Sequence, residues 1–186
     1  MQNSSDTHTP LQRPTFVCLA AQSRDGFIAK DAIHRSETWV SPEDKKHFQA
    51  QLQTFDWLVA GRNTASQYVD AMTPYNCLVL TTRPDEHLAE HFGHIDPTVT
   101  DPVEYLMQHG AERVAVLGGT NVYSYFLEHN LLDEVWLTIE PTDFRKGLPT
   151  FNKPYLLEEH LTLKNREILN DAGTELLYYK KDLTHV

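Results

Sequence analysis

The sequence predicts an α/β fold whose sheet is mixed but mostly parallel and ends in an antiparallel hairpin. Three observations predict it. From residue 15 onward, short apolar runs alternate with stretches of helical spacing, the pattern of strand–helix–strand units. One apolar run hands over to a helix through a glycine pair, in VAVLGGTNVYSYFLEH (Val114 to His129). The last two apolar runs flank Asn170-Asp171-Ala172-Gly173, a hairpin signal.

In chain order, Thr15 to Ala21 (TFVCLAA) reads as a buried strand. A polar segment follows from Gln22 to Val40, with Asp25-Gly26 as a turn signal. Ser41 to Thr54 reads as a helix: Ser41 suits the N-cap, Pro42 the first turn and Asp44 the capping-box position. Asp56 to Gly61 is a short apolar strand. A short helix starts near Thr64 and stops at Thr73-Pro74. Asn76 to Thr81 is a strand closed by Arg83-Pro84, and Asp85 to Asp96 is irregular or weakly helical. A brief strand near Thr98 to Thr100 precedes the helix Pro102 to His109. The strand Glu112 to Leu117, the helix Asn121 to His129 and the strand Leu131 to Glu140 come next. His160 to Leu169 and Thr174 to Lys181 form the closing hairpin.

With 186 residues, the chain suits one domain, expected over residues 14–186 behind a mobile polar tail over residues 1–13. A formal net charge of −10 supplies no basic face for a duplex, so no nucleic-acid partner is expected. No apolar run reaches membrane-spanning length, and the polar start lacks a signal-peptide core. A cytoplasmic protein with no membrane partner is therefore expected. Cys18 and Cys77 lie in strand-like runs and read as buried thiols. His87, His91 and His94 do not make a converging ligand set, so no metal is expected.

In a parallel sheet, ligands bind beyond the carboxyl ends of the strands. Those ends carry Gly61, Arg62, Asn63 and Thr64; Leu80, Thr81, Thr82 and Arg83; and Leu117, Gly118, Gly119, Thr120 and Asn121. Arginine forks and hydroxyls bind phosphate oxygens, and glycines let backbone amides approach them. Each stretch alone also reads as an ordinary turn. Recurring at three strand ends, they point to a phosphate-bearing cofactor at the sheet's rim. Neither GxGxxG nor GxxxxGKS is present, which argues against a standard dinucleotide fold or P-loop.

Four stretches carry a family resemblance that spans nearly all of Thr15 to Lys181. They are SRDGFIA (Ser23 to Ala29), WVSPEDKKHF (Trp39 to Phe48), VAGRNT (Val59 to Thr64) and LGGTNVYSYFLEHNLLDEVWLT (Leu117 to Thr138). They resemble the dihydrofolate reductase superfamily, and SRDGFIA and LLDEVWLT tilt the resemblance to its riboflavin-biosynthesis branch. That branch is the reductase domain following the deaminase in bifunctional enzymes.

The resemblance implies a three-layer α/β/α fold, NADPH across the rim, and hydride transfer to a small pyrimidine- or pteridine-like substrate. It implies that Arg62, Thr82 and Arg83 favour a 2′-phosphate. Gly118 to Tyr123, including Val122, would cradle the pyrophosphate, with Tyr123, Ala21 and Ile28 near the nicotinamide. It places Asp44 on the catalytic carboxylate, Thr138 on its partner threonine and Trp39 on the pocket-closing tryptophan. Asp44 reads equally as a helix cap worth about 0.5–2 kcal/mol. Related reductases imply a homodimer.

Three positions depart from the family patterns. Pro74 stands where folate reductases carry the arginine for the glutamate tail. Leu117 and Tyr68 replace a glutamate and an aspartate of the riboflavin branch. The substrate is therefore open between the riboflavin-pathway pyrimidine, dihydrofolate or another pterin, and an unrelated carbonyl compound. A non-catalytic NADPH-binding regulatory protein is the competing class.

Overall fold

Alternation along the first strand sets the layering of the molecule, for which a computed structural model describes residues 12–182. In β1 (Thr15–Ser23), Phe16, Cys18 and Ala20 face one side of the sheet, while Val17 and Leu19 face the other. Helices cover both sides, so the central strands are apolar on both faces, as buried parallel strands must be.

The elements after β1 are β2 (Phe27–Ala29), a 3-10 turn at Ser36–Thr38, α1 (Pro42–Leu52), β3 (Trp57–Gly61), α2 (Arg62–Gln67), α3 (Val69–Met72) and β4 (Asn76–Leu80). Next come β5 (Gly93–Ile95), α4 (Pro102–Gln108), β6 (Arg113–Val116), α5 (Thr120–Glu128) and β7 (Glu134–Glu140). The chain closes with β8 (Leu148–Pro149), α6 (Leu156–His160), β9 (Thr162–Ile168) and β10 (Glu175–Lys180).

The main sheet has the order β5-β4-β3-β6-β1-β7-β10-β9. Strands from β5 to β7 are parallel, and β10 and β9 run antiparallel at one edge. The predicted mixed sheet with a C-terminal hairpin and three layers is therefore the observed fold. Phe48, Leu52 and Met72 pack with Val17, Leu58 and Val79 on one face. Leu106, Phe126, Leu127 and Leu157 pack with Phe16, Val59 and Val114 on the other. The two cysteines are buried, one on each face.

Several local expectations are corrected. The strand near Thr98 to Thr100 does not form; β5 lies earlier, pairing Gly93–Ile95 with Leu78–Leu80. The reason is Asp96, whose carboxylate accepts from the Thr98 amide at 2.9 Å and hydroxyl at 2.7 Å and curls the chain into a turn. The second helix begins at Arg62 rather than Thr64 and breaks at Tyr68. β7 begins at Glu134 rather than Leu131. Two short elements, α6 and the β2–β8 ribbon, were not anticipated. The expected tail lies outside the described residues up to residue 11.

The ribbon explains the Asp25-Gly26 signal. The Asp25 carboxylate accepts from the Ser23 hydroxyl at 2.6 Å and from the amides of Phe144 and Arg145 at 3.1 and 2.6 Å. This clamp ties the first loop to the loop before β8 and holds Ile28 against the rim.

Candidate active site

Adjacent strand order brings the three predicted strand ends together. β4, β3 and β6 are neighbours, and β1 and β7 continue the row. At the centre, the Gly61 amide donates to the Gly118 carbonyl at 2.7 Å. Gly118 has φ +87°, a conformation that favours glycine, and the Gly118–Gly119 peptide is cis. A Cβ on Gly118 would lie 2.5 Å from Tyr123 Cε2. The turn thus presses against the Tyr123 ring, whose hydroxyl donates to the Leu19 carbonyl at 2.7 Å. Burial raises the Tyr123 pKa well above the ordinary phenol value, so it stays a neutral donor. No side chain caps the first turn of α5, and Gly119, Thr120 and Asn121 line the adjoining cavity. Free amides and a positive helix end therefore meet that space.

The cavity has a volume of about 1240 Å³ and runs from the strand ends to α1. Ala21, Ile28, Gly61 to Thr64, Leu80 to Arg83, Leu117 and Gly119 to Tyr123 all line it, as do Asp44 and Thr138. Gly118 lies behind the lining, and Trp39 does not reach it. The Trp39 ring instead packs edge-on against Phe144, with centroids 4.9 Å apart. At one end of the cavity, Arg62 and Arg83 both reach one carboxylate oxygen of Glu86, at 2.9 and 3.1 Å.

At the other end, Asp44 sits in the first turn of α1, 7% exposed, beside the 2%-exposed Thr138 of β7. Thr138 is the register partner of Ala21 across β7 and β1. Burial pushes the Asp44 carboxyl above its ordinary range; the Thr138 hydroxyl pulls it down, and the like charge of Glu140 pushes it up again. The N-cap separates the two readings of Asp44. Its amide donates to the Ser41 hydroxyl at 3.2 Å, as a capping box requires. The reciprocal bond, however, goes elsewhere: the Ser41 amide donates to Glu140 Oε1 at 2.7 Å. Glu140, whose other oxygen accepts from the Thr174 hydroxyl at 2.7 Å, takes the capping duty. Asp44's carboxyl is left to the cavity.

Sequence reasoning missed three contributors. His47 lines the cavity one helical turn from Asp44, its ring 5.7 Å from Trp136, with Nε2 buried and unpaired among the described residues. Its i, i+3 spacing from Asp44 was a readable signal. Glu140 stands two residues beyond Thr138, so it shares that face of β7. Glu37 had no signal: the Tyr68 hydroxyl donates to it at 2.7 Å from a distant helix break, and Arg35 pairs with it at 2.9 Å. Among the described residues, no cluster of three or more histidine, cysteine or acidic side chains could hold a metal ion. No helix among them is long and apolar enough to cross a membrane.

Comparison with known proteins matches the chain to a family. The profile of the RibD C-terminal domain matches residues 69–171, more than half of the chain. The uncharacterized protein YwjB of Bacillus subtilis (strain 168) is 27% identical over 152 residues, which is 77% of this chain and 85% of that protein. Among solved structures, a diaminohydroxyphosphoribosylaminopyrimidine deaminase/5-amino-6-(5-phosphoribosylamino)uracil reductase from Thermotoga maritima superposes with a TM-score of 0.73 at 17% identity. That match covers 91% of this chain but only 57% of the Thermotoga chain. A dihydrofolate reductase from Enterococcus faecalis, complexed with NADP(H), superposes with a TM-score of 0.65 at 17% identity, over 90% of this chain and 96% of that one.

Proposed function

The chain belongs to the reductase family of the RibD C-terminal domain, and on that premise we propose that it is an NADPH-dependent reductase of a small pyrimidine- or pteridine-like substrate. The observation that carries this reading is the shared cavity. One wall holds a buried carboxyl relieved of capping, Asp44 beside Thr138; the other holds the Gly118-Gly119 turn and the open start of α5.

The residues present fit the cofactor. Gly119 and the first turn of α5 offer amides to a pyrophosphate, and the missing Cβ of Gly61, which would stand 3.1 Å from Val122 Cγ2, lets that turn pack against β3. Arg62 and Arg83 offer a two-armed seat to a 2′-phosphate. When bound, NADPH supplies a hydride. Tyr123 holds the glycine turn in place and anchors it to β1 through the Leu19 carbonyl. Ala21 and Thr138, paired in register, would border the reacting end of the cofactor on the side of Asp44. The Asp44 carboxyl, raised by burial, retains a proton at higher pH than an ordinary aspartate and delivers it to the substrate. Leu19, Phe48 and Trp136 give that end an apolar lining.

Fluorescence titration with NADPH and NADH, followed by NADPH consumption over a panel of pterins and pyrimidines, tests the reading. Binding of NADPH with turnover of at least one heterocycle is expected, with affinity reduced about tenfold or more in Arg62→Ala, the order of a lost charge-assisted phosphate contact. Equal affinity for NADH, or an Arg62→Ala variant that binds as the wild type does, refutes the cofactor assignment. Tight binding without turnover across the panel makes the protein a non-catalytic NADPH binder. Full turnover in Asp44→Ala removes Asp44 from the chemistry.

A further inference from the structure

The anion seat contains its own carboxylate. Arg62 Nη2 lies 2.9 Å and Arg83 Nη1 3.1 Å from the same oxygen, Oε2 of Glu86. Arg62 Nη1 also donates to the Glu86 backbone carbonyl at 2.6 Å. The approach is built from three sides. Arg62 opens α2 straight after β3, and its side chain is mostly covered, with 20% exposed. Arg83 follows β4, its own amide held by the Thr81 hydroxyl at 3.1 Å. Glu86 sits three residues further on, with half of its side chain exposed to solvent. Thr82 and Arg83 line the cavity beside it.

From this arrangement we infer that Glu86 is a specificity-determining residue: it competes with the cofactor's 2′-phosphate for Arg62 and Arg83 and weakens NADPH binding without touching NADH. The inference rests on the NADPH reading above. A dianionic phosphate presents several oxygens to the two guanidinium forks, whereas the carboxylate shares one oxygen between them. The phosphate therefore displaces Glu86, but only after two ion pairs are broken. NADH has no 2′-phosphate and leaves Glu86 where it is. The Arg62 bond to the Glu86 backbone carbonyl does not depend on the side chain, so Arg62 keeps its position when the carboxylate is removed. The seat is thereby pre-formed while its charge is masked.

Glu86→Gln tests this with the full-length protein, by fluorescence titration of NADPH and NADH and by competition with adenosine 2′,5′-bisphosphate. Two partly exposed ion pairs set the scale, so NADPH and the bisphosphate are expected to bind about three- to tenfold more tightly than to the wild type. NADH affinity is expected to change by less than about twofold, the level at which no ion pair has been gained or lost. Unchanged or weaker NADPH binding in Glu86→Gln overturns the inference and leaves the NADPH reading intact if the wild type still binds. Weaker NADH binding also overturns it, because Glu86 would then serve the ribose hydroxyls. Binding of NADPH by the variant alone supports it. Binding by neither protein overturns both readings.

Discussion

Replacing Gly118 by alanine forces a methyl group into the ring of Tyr123. The new Cβ would stand 2.5 Å from Cε2, 2.6 Å from Cζ and 3.0 Å from the hydroxyl oxygen. The ring has no cheap escape: it is 5% exposed, packs near Phe151, and is tied to the Leu19 carbonyl at 2.7 Å. Relief of the overlap therefore shifts packed groups, which costs about 1–3 kcal/mol. At φ +87°, the backbone itself adds about 1–2 kcal/mol for a residue with a side chain. Together the loss is about 2–5 kcal/mol. In a chain of this length each kcal/mol lowers Tm by roughly 2–4 °C. Thermal unfolding followed by circular dichroism measures the single variant, and a cycle with Tyr123→Leu isolates the overlap. In the Tyr123→Leu background only the backbone part, about 1–2 kcal/mol, is expected to remain. A cost below about 1 kcal/mol, or an equal cost in both backgrounds, refutes the reasoning.

Three further outcomes are expected. Asp44 keeps its proton longer in the folded chain than its ordinary value of 3.8 allows. The associated stability is complete below that pH and is lost as pH rises through the higher folded value. Asp44→Asn should then be more stable than the wild type at neutral pH, with the gap closing in acid, while turnover falls about 10²- to 10⁴-fold. Urea midpoints against pH check this, and a gap independent of pH contradicts it. Glu140→Gln removes a like charge that pushes Asp44 up, so the alkaline limb of the pH–rate profile, where activity falls as Asp44 gives up its proton, should move to lower pH; burial keeps it above the ordinary aspartate. Burial pushes the Cys77 thiol up to about 12 and Cys18 higher still. Neither should react with a disulfide reagent until the protein unfolds, and rapid labelling of the native protein would contradict their burial.

Much of the site was legible because its signals are local. Apolar runs, the glycine pair and Thr-Thr-Arg each sit at a strand end, and a parallel sheet places such ends along one rim. The family resemblance puts Asp44 and Thr138 together, and both line the one cavity, with Thr138 beside Ala21 in the register of β7 and β1. Trp39 shows where that route stops. The residue matches the family pattern in sequence, yet its ring is turned to Phe144 by packing that no local pattern encodes.

By itself, the sequence determined the alternation of buried strands and helices, the terminal hairpin and the glycine turn at the end of a central strand. These depend on side-chain periodicity and on residues that allow or forbid local conformations. Only the tertiary structure decided which carboxylate does which work. Ser41 is capped by Glu140, 99 residues away, so Asp44 is left for the cavity. Arg62 is met by Glu86, 24 residues away, so its charge is already paired. A charge's role is set by its neighbours in space, through desolvation and pairing over a few ångströms, and sequence spacing does not carry that distance.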